Sequence, residues 1–104
     1  MRISDLHPGD RFKADVTIPL IGASPTTRTL TFRYRDKPAL KLFVEKMEQL
    51  DDLQMVQEVV LGWDLEDEFT PENIRTFLDH VPEAALCILR TYMRESGLKV
   101  PANI

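Results

Sequence analysis

The stretch "TLTFRYRDKPALKLF", residues 29–43, contains the point at which the chain changes from one type of secondary structure to another. In its first half, Leu30, Phe32 and Tyr34 alternate with polar residues, which is the period-two pattern of a half-buried strand. After "RDKP" the apolar residues recur at steps of three and four, as they do on one face of a helix. Pro38 falls in the first turn of this helix, where its missing N–H costs no hydrogen bond. The stretch therefore predicts a strand followed directly by a helix.

A second alternating segment, "RFKADVTI" at residues 11–18, is expected to pair with the first in an antiparallel hairpin over about residues 11–35. The segments are connected by "PLIGASPTT", residues 19–27. This connection contains two prolines and one glycine and is too long for a tight turn, so we expect a mobile loop. Leu20 and Ile21 are apolar although they lie in this loop. They are predicted either to fold back onto the core or to contact a partner.

Helical spacing of apolar residues continues through the rest of the chain. Gly62 would end a second helix in the left-handed conformation, and Thr70 with Pro71 is typical of the start of a third. Pro82 would separate the third helix from a fourth. The expected helices span about residues 38–50, 52–62, 71–81 and 82–96, with a frayed tail at 97–104. The predicted fold is α+β, a single domain in which a two-stranded antiparallel β-hairpin packs against a mainly α-helical body of about four helices.

The length and composition of the chain are those of one globular domain. It has 104 residues, of which 43% are hydrophobic and 29% charged, and this balance is sufficient for one core. No stretch approaches the roughly 20 apolar residues that cross a bilayer, and the N-terminus lacks the apolar segment of a signal peptide. We therefore expect a cytoplasmic protein without a membrane partner.

The net charge of −4 is unevenly distributed along the chain. Residues 1–37 carry seven Lys or Arg and four acids, whereas residues 38–104 carry six and thirteen. Aromatic and basic residues do not alternate densely enough to form a nucleic-acid platform, and the acidic part would repel phosphates. No nucleic-acid partner is expected.

Four acids lie within residues 64–68, where a metal site is conceivable. When an EF-hand loop is counted from Asp64, Phe69 stands where glycine is needed and Arg75 where the final acid is needed. The two histidines and Cys87 do not provide the four ligands of structural zinc. We expect solvated acids at a corner between helices, with no metal and no cofactor.

The sequence contains no recognisable catalytic arrangement. Cys87 lies among apolar residues in "EAALCILR", so it is expected to be a buried structural thiol and not a nucleophile. No glycine-rich turn is present that could form an oxyanion hole or hold a phosphate. We do not expect an enzyme.

Trp63 lies between a glycine and the acids, in "VVLGWDLEDEFTPENI", residues 59–74. In one interpretation its ring packs over the end of the second helix, while Phe69 packs at the start of the third. In the other, Trp63 and Leu65 stay partly exposed and form an aromatic anchor for a protein partner. The two interpretations are compatible. The candidate protein-binding residues are therefore Leu20, Ile21, Val60, Trp63, Leu65 and Phe69.

Three segments taken in order resemble a known family. A strand ending in "FRYR" is followed by a helix opening with "PALKLFVEKM" and then by "MVQEVVLGWDLEDEFTPENIRTFLDHVPEAALCILRTYMRE". This order is similar to that of the tail assembly chaperones of long-tailed bacteriophages and their prophages, over about residues 28–96. The most specific feature is an apolar helix ending at Gly62-Trp63, then an acidic loop, Phe69-Thr70 and helices divided at Pro82.

The resemblance implies a small protein that binds the tape measure protein, keeps it soluble and assists polymerisation of the tail tube around it. It also implies self-association, a location in the cytoplasm of the bacterial host, and absence from the mature virion. In many members a programmed frameshift adds an extension that recruits the tail tube protein. This chain would then be the short form, or would come from a phage without that device.

A function of another class remains open, that of a small cytoplasmic adaptor or regulatory protein-binding domain. Its binding surface would be the basic face of the hairpin, formed by Arg28, Arg33 and Arg35. A neighbouring reading frame that encodes a very long helical protein would favour the chaperone over the adaptor.

Overall fold

The alternating segments form an antiparallel sheet of three strands in a computed structural model that describes residues 1–98. The strands are β1 (Arg11–Leu20), β2 (Ala23–Arg33) and β3 (Val60–Trp63), in the order β1-β2-β3. β1 pairs with β2 from Arg11 opposite Arg33 to Leu20 opposite Ala23. β3 lies on the other side of β2, opposite Leu30–Phe32. The α+β class agrees with the prediction, but the sheet has one strand more than the predicted hairpin.

The third strand corrects the predicted end of the second helix. The apolar spacing predicts a helix to residue 62, but α2 (Asp52–Val59) ends earlier, and the chain is extended at Val60 with φ −106° and ψ 133°. Gly62 therefore lies in a strand and is not among the residues with positive φ. The prediction was wrong here because an apolar run such as "VVLGW" fits a buried strand as well as a helix end.

The prediction of a mobile loop at residues 19–27 is also wrong. Both strands continue through it and meet in a tight turn at Ile21 and Gly22, where Gly22 supplies the positive φ of 74° that such a turn requires. The register shifts at Pro19, just before Leu20. A bulge on an edge strand accommodates a proline because its nitrogen has no ladder hydrogen bond to donate there.

Within residues 1–98, four α-helices begin at local capping signals or shortly after a proline. Asp36, Asp51 and Thr70 are the N-caps of the first three, and each side chain accepts a hydrogen bond from a backbone N–H of the first turn. A 3₁₀ turn at Met47–Gln49 follows the first helix, and the chain is not helical around Pro82. The helices are α1 (Lys37–Lys46), α2 (Asp52–Val59), α3 (Pro71–His80) and α4 (Ala84–Glu95).

Two residues of the expected frayed tail are ordered. Gly97 has a φ of 82° and donates its N–H to the carbonyl of Arg94, while the N–H of Leu98 reaches the carbonyl of Met93 at 2.8 Å. These two bonds form a Schellman motif, which closes α4. Leu98 also packs against the core. The remainder of that expectation, at residues 99–104, lies outside the described residues.

The core lies between one face of the sheet and the helices. α4 packs on β1 and α2, and Tyr92 of α4 is fully buried. Its ring centre lies 5.7 Å from that of Phe32 and 5.8 Å from that of Phe43, so Tyr92 links the sheet to α1. The buried residues of this core are Ala14, Val16, Ile18, Leu30, Phe32, Leu40, Phe43, Met55, Val56, Val59, Val60, Ile74, Ala85, Ile88 and Tyr92.

Candidate functional site

Trp63, the first candidate anchor, lies in a small aromatic cluster. Its ring packs edge-on against Phe69 at 5.0 Å and against Phe77 at 5.7 Å between centres. The indole N–H donates to the carbonyl of Asp67 at 2.8 Å. The ring is half-buried, so it stabilises the corner between β3 and α3 and leaves part of its surface in contact with solvent. The ring thus packs against α3, whereas the first interpretation placed it over the end of the second helix, and the anchor for a protein partner stays a prediction.

The other corner candidates differ in accessibility. Val60 is only 2% exposed and belongs to the core, so its side chain is not available to a partner. Leu65 and Phe69 are half-buried. Among the acids, Asp64 accepts a hydrogen bond from the backbone N–H of Thr29 at 3.1 Å, which ties the corner to β2. Within residues 1–98 no group of three or more acids, histidines or cysteines has the geometry to hold a metal ion.

The remaining two candidates lie at the tip of the hairpin. Ile21 is 82% exposed and Leu20 is 37% exposed. Trp63 pairs with Leu30, which in turn pairs with Ala14 of β1. Six residues of extended strand separate Ala14 from Leu20, which corresponds to roughly 20 Å. The predicted site therefore consists of two separate surfaces, one at the tip and one at the corner.

A larger feature is an apolar groove that the sequence analysis did not anticipate. It lies between α1, the start of β1 and the end of α4, and has a volume of about 1170 Å³. We refer to it as the α1 groove. Its apolar lining consists of Pro8, Phe12, Tyr34, Pro38, Leu40, Val44 and Leu98.

Charged side chains form the rim of the α1 groove. Lys37, Lys41 and Glu45 follow one another at steps of one turn along α1, and Glu95 lies at the end of α4. None of these four is in an ion pair within residues 1–98. The one sequence signal for this surface was Val44, an apolar residue beside the predicted apolar stripe of α1, which widens that stripe toward the groove.

The basic hairpin face proposed for an adaptor is mostly occupied by internal contacts. Arg35 is 3.0 Å from Glu58 and donates to the Tyr92 hydroxyl at 3.0 Å, and its guanidinium lies 4.6 Å from the Phe43 ring centre. Arg33 donates from Nε to the backbone carbonyl of Glu58 at 3.1 Å. Two of the three arginines therefore hold the end of β2 against the helices, which weakens the case for an adaptor surface.

The carboxylate of Glu58 joins this internal network to α1. Lys46 Nζ lies 2.6 Å from one oxygen, and Arg35 binds the other. The hydrogen bond from Lys46 is the main cause that lowers the pKa of Glu58, the charges of Lys46, Arg35 and Arg33 lower it further, and partial burial opposes them. Glu58 is therefore held in its charged form and stabilises the fold.

Cys87 is half-buried on α4. Burial raises the pKa of its thiol, Glu83 raises it further, and Arg90 opposes both. A thiol with a raised pKa carries little thiolate at neutral pH, so Cys87 lacks the character of a nucleophile.

The accessible features of the site are therefore apolar or aromatic surfaces with charged borders, which fit a protein partner. None of the helices within residues 1–98 has the length and apolarity needed to span a bilayer. No curated protein and no solved structure matches the chain. A family model described as phage tail assembly chaperone matches residues 2–97, including residues 2–27, which lay outside the resemblance. The chain therefore belongs to the phage tail assembly chaperone family, a membership that implies a non-catalytic role.

Proposed function

We propose that this chaperone binds the tape measure protein through the α1 groove, keeps it soluble and assists polymerisation of the tail tube around it. As a phage tail assembly chaperone it acts in the host cell during assembly. We propose that the protein is located in the cytoplasm and is not retained in the mature virion. The tail tube protein is proposed as a second partner, recruited through a longer form of the chain, and self-association is proposed as well.

The α1 groove is the observation that supports this proposal. Its wall along α1 spans ten residues, or roughly 15 Å, which is enough to align about three turns of a helix in a partner. Phe12, Val44 and Leu98 are half-buried and line the groove, and Leu40, which also lines it, belongs to the core. Amphipathic helices bind by laying their apolar face into a groove of this kind.

The rim of the groove indicates the polarity of the client segment. Lys37 and Lys41 lie near the start of α1, and Glu45 lies near its end. A helix that lies along α1 gains opposite-charge contacts when its acids approach the two lysines and its basic residue approaches Glu45. We therefore propose an amphipathic client segment with acidic residues at one end and a basic residue at the other.

The corner and the hairpin tip remain alternative client surfaces. The corner presents three half-buried apolar side chains, those of Trp63, Leu65 and Phe69, whereas seven apolar residues line the groove. Leu20 and Ile21 are more exposed, but they form a small projection and not a concave surface. These differences support the groove as the main client site.

Co-expression with the tape measure protein tests the assignment. Val44→Lys places a charge in the groove while its aliphatic stem retains part of the packing, and Leu42→Lys is the matched control because Leu42 is 66% exposed and does not line the groove. We expect Val44→Lys to remain folded, as judged by its melting temperature, and to lose most of the soluble tape measure protein. The control should behave as the unmodified chain. Loss of client from a folded Trp63→Ala variant, with full binding by Val44→Lys, would move the site to the corner.

A further inference from the structure

A short 3₁₀ turn at Ile3–Leu6 precedes the sheet, and we refer to it as the N-terminal turn. Its two large apolar side chains are exposed, Ile3 by 90% and Leu6 by 70%. A 3₁₀ helix has three residues per turn, so these two side chains project from the same face. The polar residues Ser4 and Asp5 lie between them in the sequence. The N-terminal turn is therefore a small amphipathic element whose apolar face is in contact with solvent.

The hydrogen bonds of the N-terminal turn stay close to it. The backbone N–H of Arg2 donates to the carboxylate of Asp5 at 2.8 Å, and the N–H of Asp5 donates to the carbonyl of Arg2 at 3.0 Å. The N–H of His7 donates to the carbonyl of Ser4 at 3.3 Å. These bonds hold the turn together but do not attach it to the sheet or the helices. The turn can therefore move as one unit without breaking them.

The segment that connects the N-terminal turn to β1 lies at the edge of the α1 groove. Pro8 lines the groove, and the ring of His7 packs edge-on against that of Tyr34, another lining residue, at 4.6 Å between centres. Gly9 has a φ of 91°, and a Cβ at this position would meet nothing within 4 Å. A glycine in open space allows the direction of the chain to change at low cost. The connection is therefore suited to act as a hinge beside the groove.

The reach of the N-terminal turn matches the dimensions of the groove. In the structure the turn stands outside the groove, because neither Ile3 nor Leu6 lines it. Leu6 is two residues and Ile3 five residues from Pro8, so they can lie at most roughly 7 Å and 17 Å from it. The wall along α1 is roughly 15 Å long. We propose that the N-terminal turn closes into the empty α1 groove of its own chain and that the client displaces it.

Closure of the turn is favoured by the apolar surface that it removes from water. Ile3 and Leu6 on one side and the groove lining on the other are buried in a single contact. The charges are compatible with this contact, because Arg2 and Asp5 belong to the turn segment and the rim carries both lysine and glutamate side chains.

The closed turn regulates access to the groove. It belongs to the same chain, so it competes at a high effective concentration, and a client must bind better than the turn in order to displace it. The apolar groove is thus covered until a client arrives. This regulatory role rests on the proposed function, whereas the contact between turn and groove does not, because it is tested on the purified chain alone.

Titration of the purified chain with a neutral dye that fluoresces on apolar surfaces tests the closure. The double variant Ile3→Ser/Leu6→Ser removes the apolar face of the turn at exposed positions, so we expect it to fold normally. Its groove should bind the dye about threefold or more tightly than that of the unmodified chain, because the apparent affinity of a site is reduced by the fraction in which it is covered. Leu42→Ser, which removes an exposed leucine outside the groove, is the matched control and should show no gain. Equal dye binding by the double variant and the unmodified chain would overturn the proposal.

An intramolecular crosslink locates the contact without the dye. A photo-reactive amino acid is placed at Ile3 in the purified chain, and the products are separated by mass and mapped by mass spectrometry. We expect a monomeric product in which position 3 is joined to the groove lining of α1, within residues 38–44. A product that joins two chains, or the lack of any adduct in the groove, would contradict closure. Recovery of soluble tape measure protein with Val44→Lys is measured separately, so a groove that does not bind the client is distinguishable from a turn that does not close.

Discussion

Tyr92 links the polar network to the aromatic core. Its ring is fully buried between Phe32 and Phe43, while its hydroxyl accepts a hydrogen bond from Arg35 and donates one to the carbonyl of Arg33 at 2.9 Å. Both partners lie at or just after the end of β2, where the chain leaves the sheet for α1. A buried tyrosine whose hydroxyl has two partners fixes the direction of this exit, and with it one wall of the α1 groove.

Tyr92→Phe tests the contribution of this hydroxyl. The substitution keeps the ring but leaves the carbonyl of Arg33 and one Arg35 N–H without their partner. We expect the free energy of unfolding to fall by about 1–2 kcal/mol, measured by urea denaturation. An unchanged free energy would mean that water replaces the hydroxyl and that the network does not position the chain.

The stability supplied by Glu58 should depend on pH. Its pKa in the folded protein lies below the ordinary value of 4.5, so the charged carboxylate favours the folded state above that pH. This contribution is lost as the pH falls through the folded-state pKa. Glu58→Gln should therefore lose about 1 kcal/mol of stability near neutral pH, and the difference from the unmodified chain should shrink in acid. A difference that stays constant across this acidic range would contradict the assigned ion pairs with Lys46 and Arg35.

The elements that sequence reasoning predicted correctly are those with local signals. The starts of α1, α2 and α3 are set by Asp36, Asp51 and Thr70, whose side chains bond to a backbone group three residues away. The β1–β2 pair is visible in its alternation. β3 is different, because its conformation depends on pairing with Leu30–Phe32, which lies far away in the sequence. No local pattern carries that information.

The α1 groove could not be predicted for the same reason. Its walls come from three segments, at residues 8–12, 34–45 and 95–98, and only the packing of α4 on β1 brings them together. The hairpin tip shows the opposite case. Leu20 and Ile21 stand out in the sequence because they are apolar residues in a predicted loop. Pro19 and Pro25 favour that loop, but in the structure a bulge and a tight turn extend the two strands through it.

Gly62→Ala distinguishes a strand from a helix end. A Cβ at position 62 would meet Thr31 Cβ at 4.0 Å, which is ordinary van der Waals contact, and the backbone has no positive φ. We expect the substitution to raise the free energy of unfolding by about 0.4–1 kcal/mol, because alanine has less freedom than glycine in the unfolded chain. A clear loss of stability would favour the left-handed helix end predicted from the sequence.

The molecule as a whole combines a packed body with two accessible apolar surfaces, the α1 groove and the hairpin tip. The sheet and the helices are held together by Tyr92 and its neighbours. The hairpin extends from this body, and the whole molecule is 47 Å long in its greatest dimension. The hairpin tip at Leu20 and Ile21 and the α1 groove at Phe12 lie at opposite ends of β1, roughly 26 Å apart along the strand.

Site-specific photo-crosslinking in cells that co-produce the tape measure protein is the decisive measurement. A photo-reactive amino acid is placed at Lys41, on the rim of the groove, or at Leu42, next to Lys41 but outside the groove. Both positions are exposed, so we expect neither substitution to disturb folding. Binding in the groove predicts a covalent adduct with the tape measure protein from position 41 and little or none from position 42. An adduct from position 42, or from a probe at Trp63 but not from position 41, would contradict it.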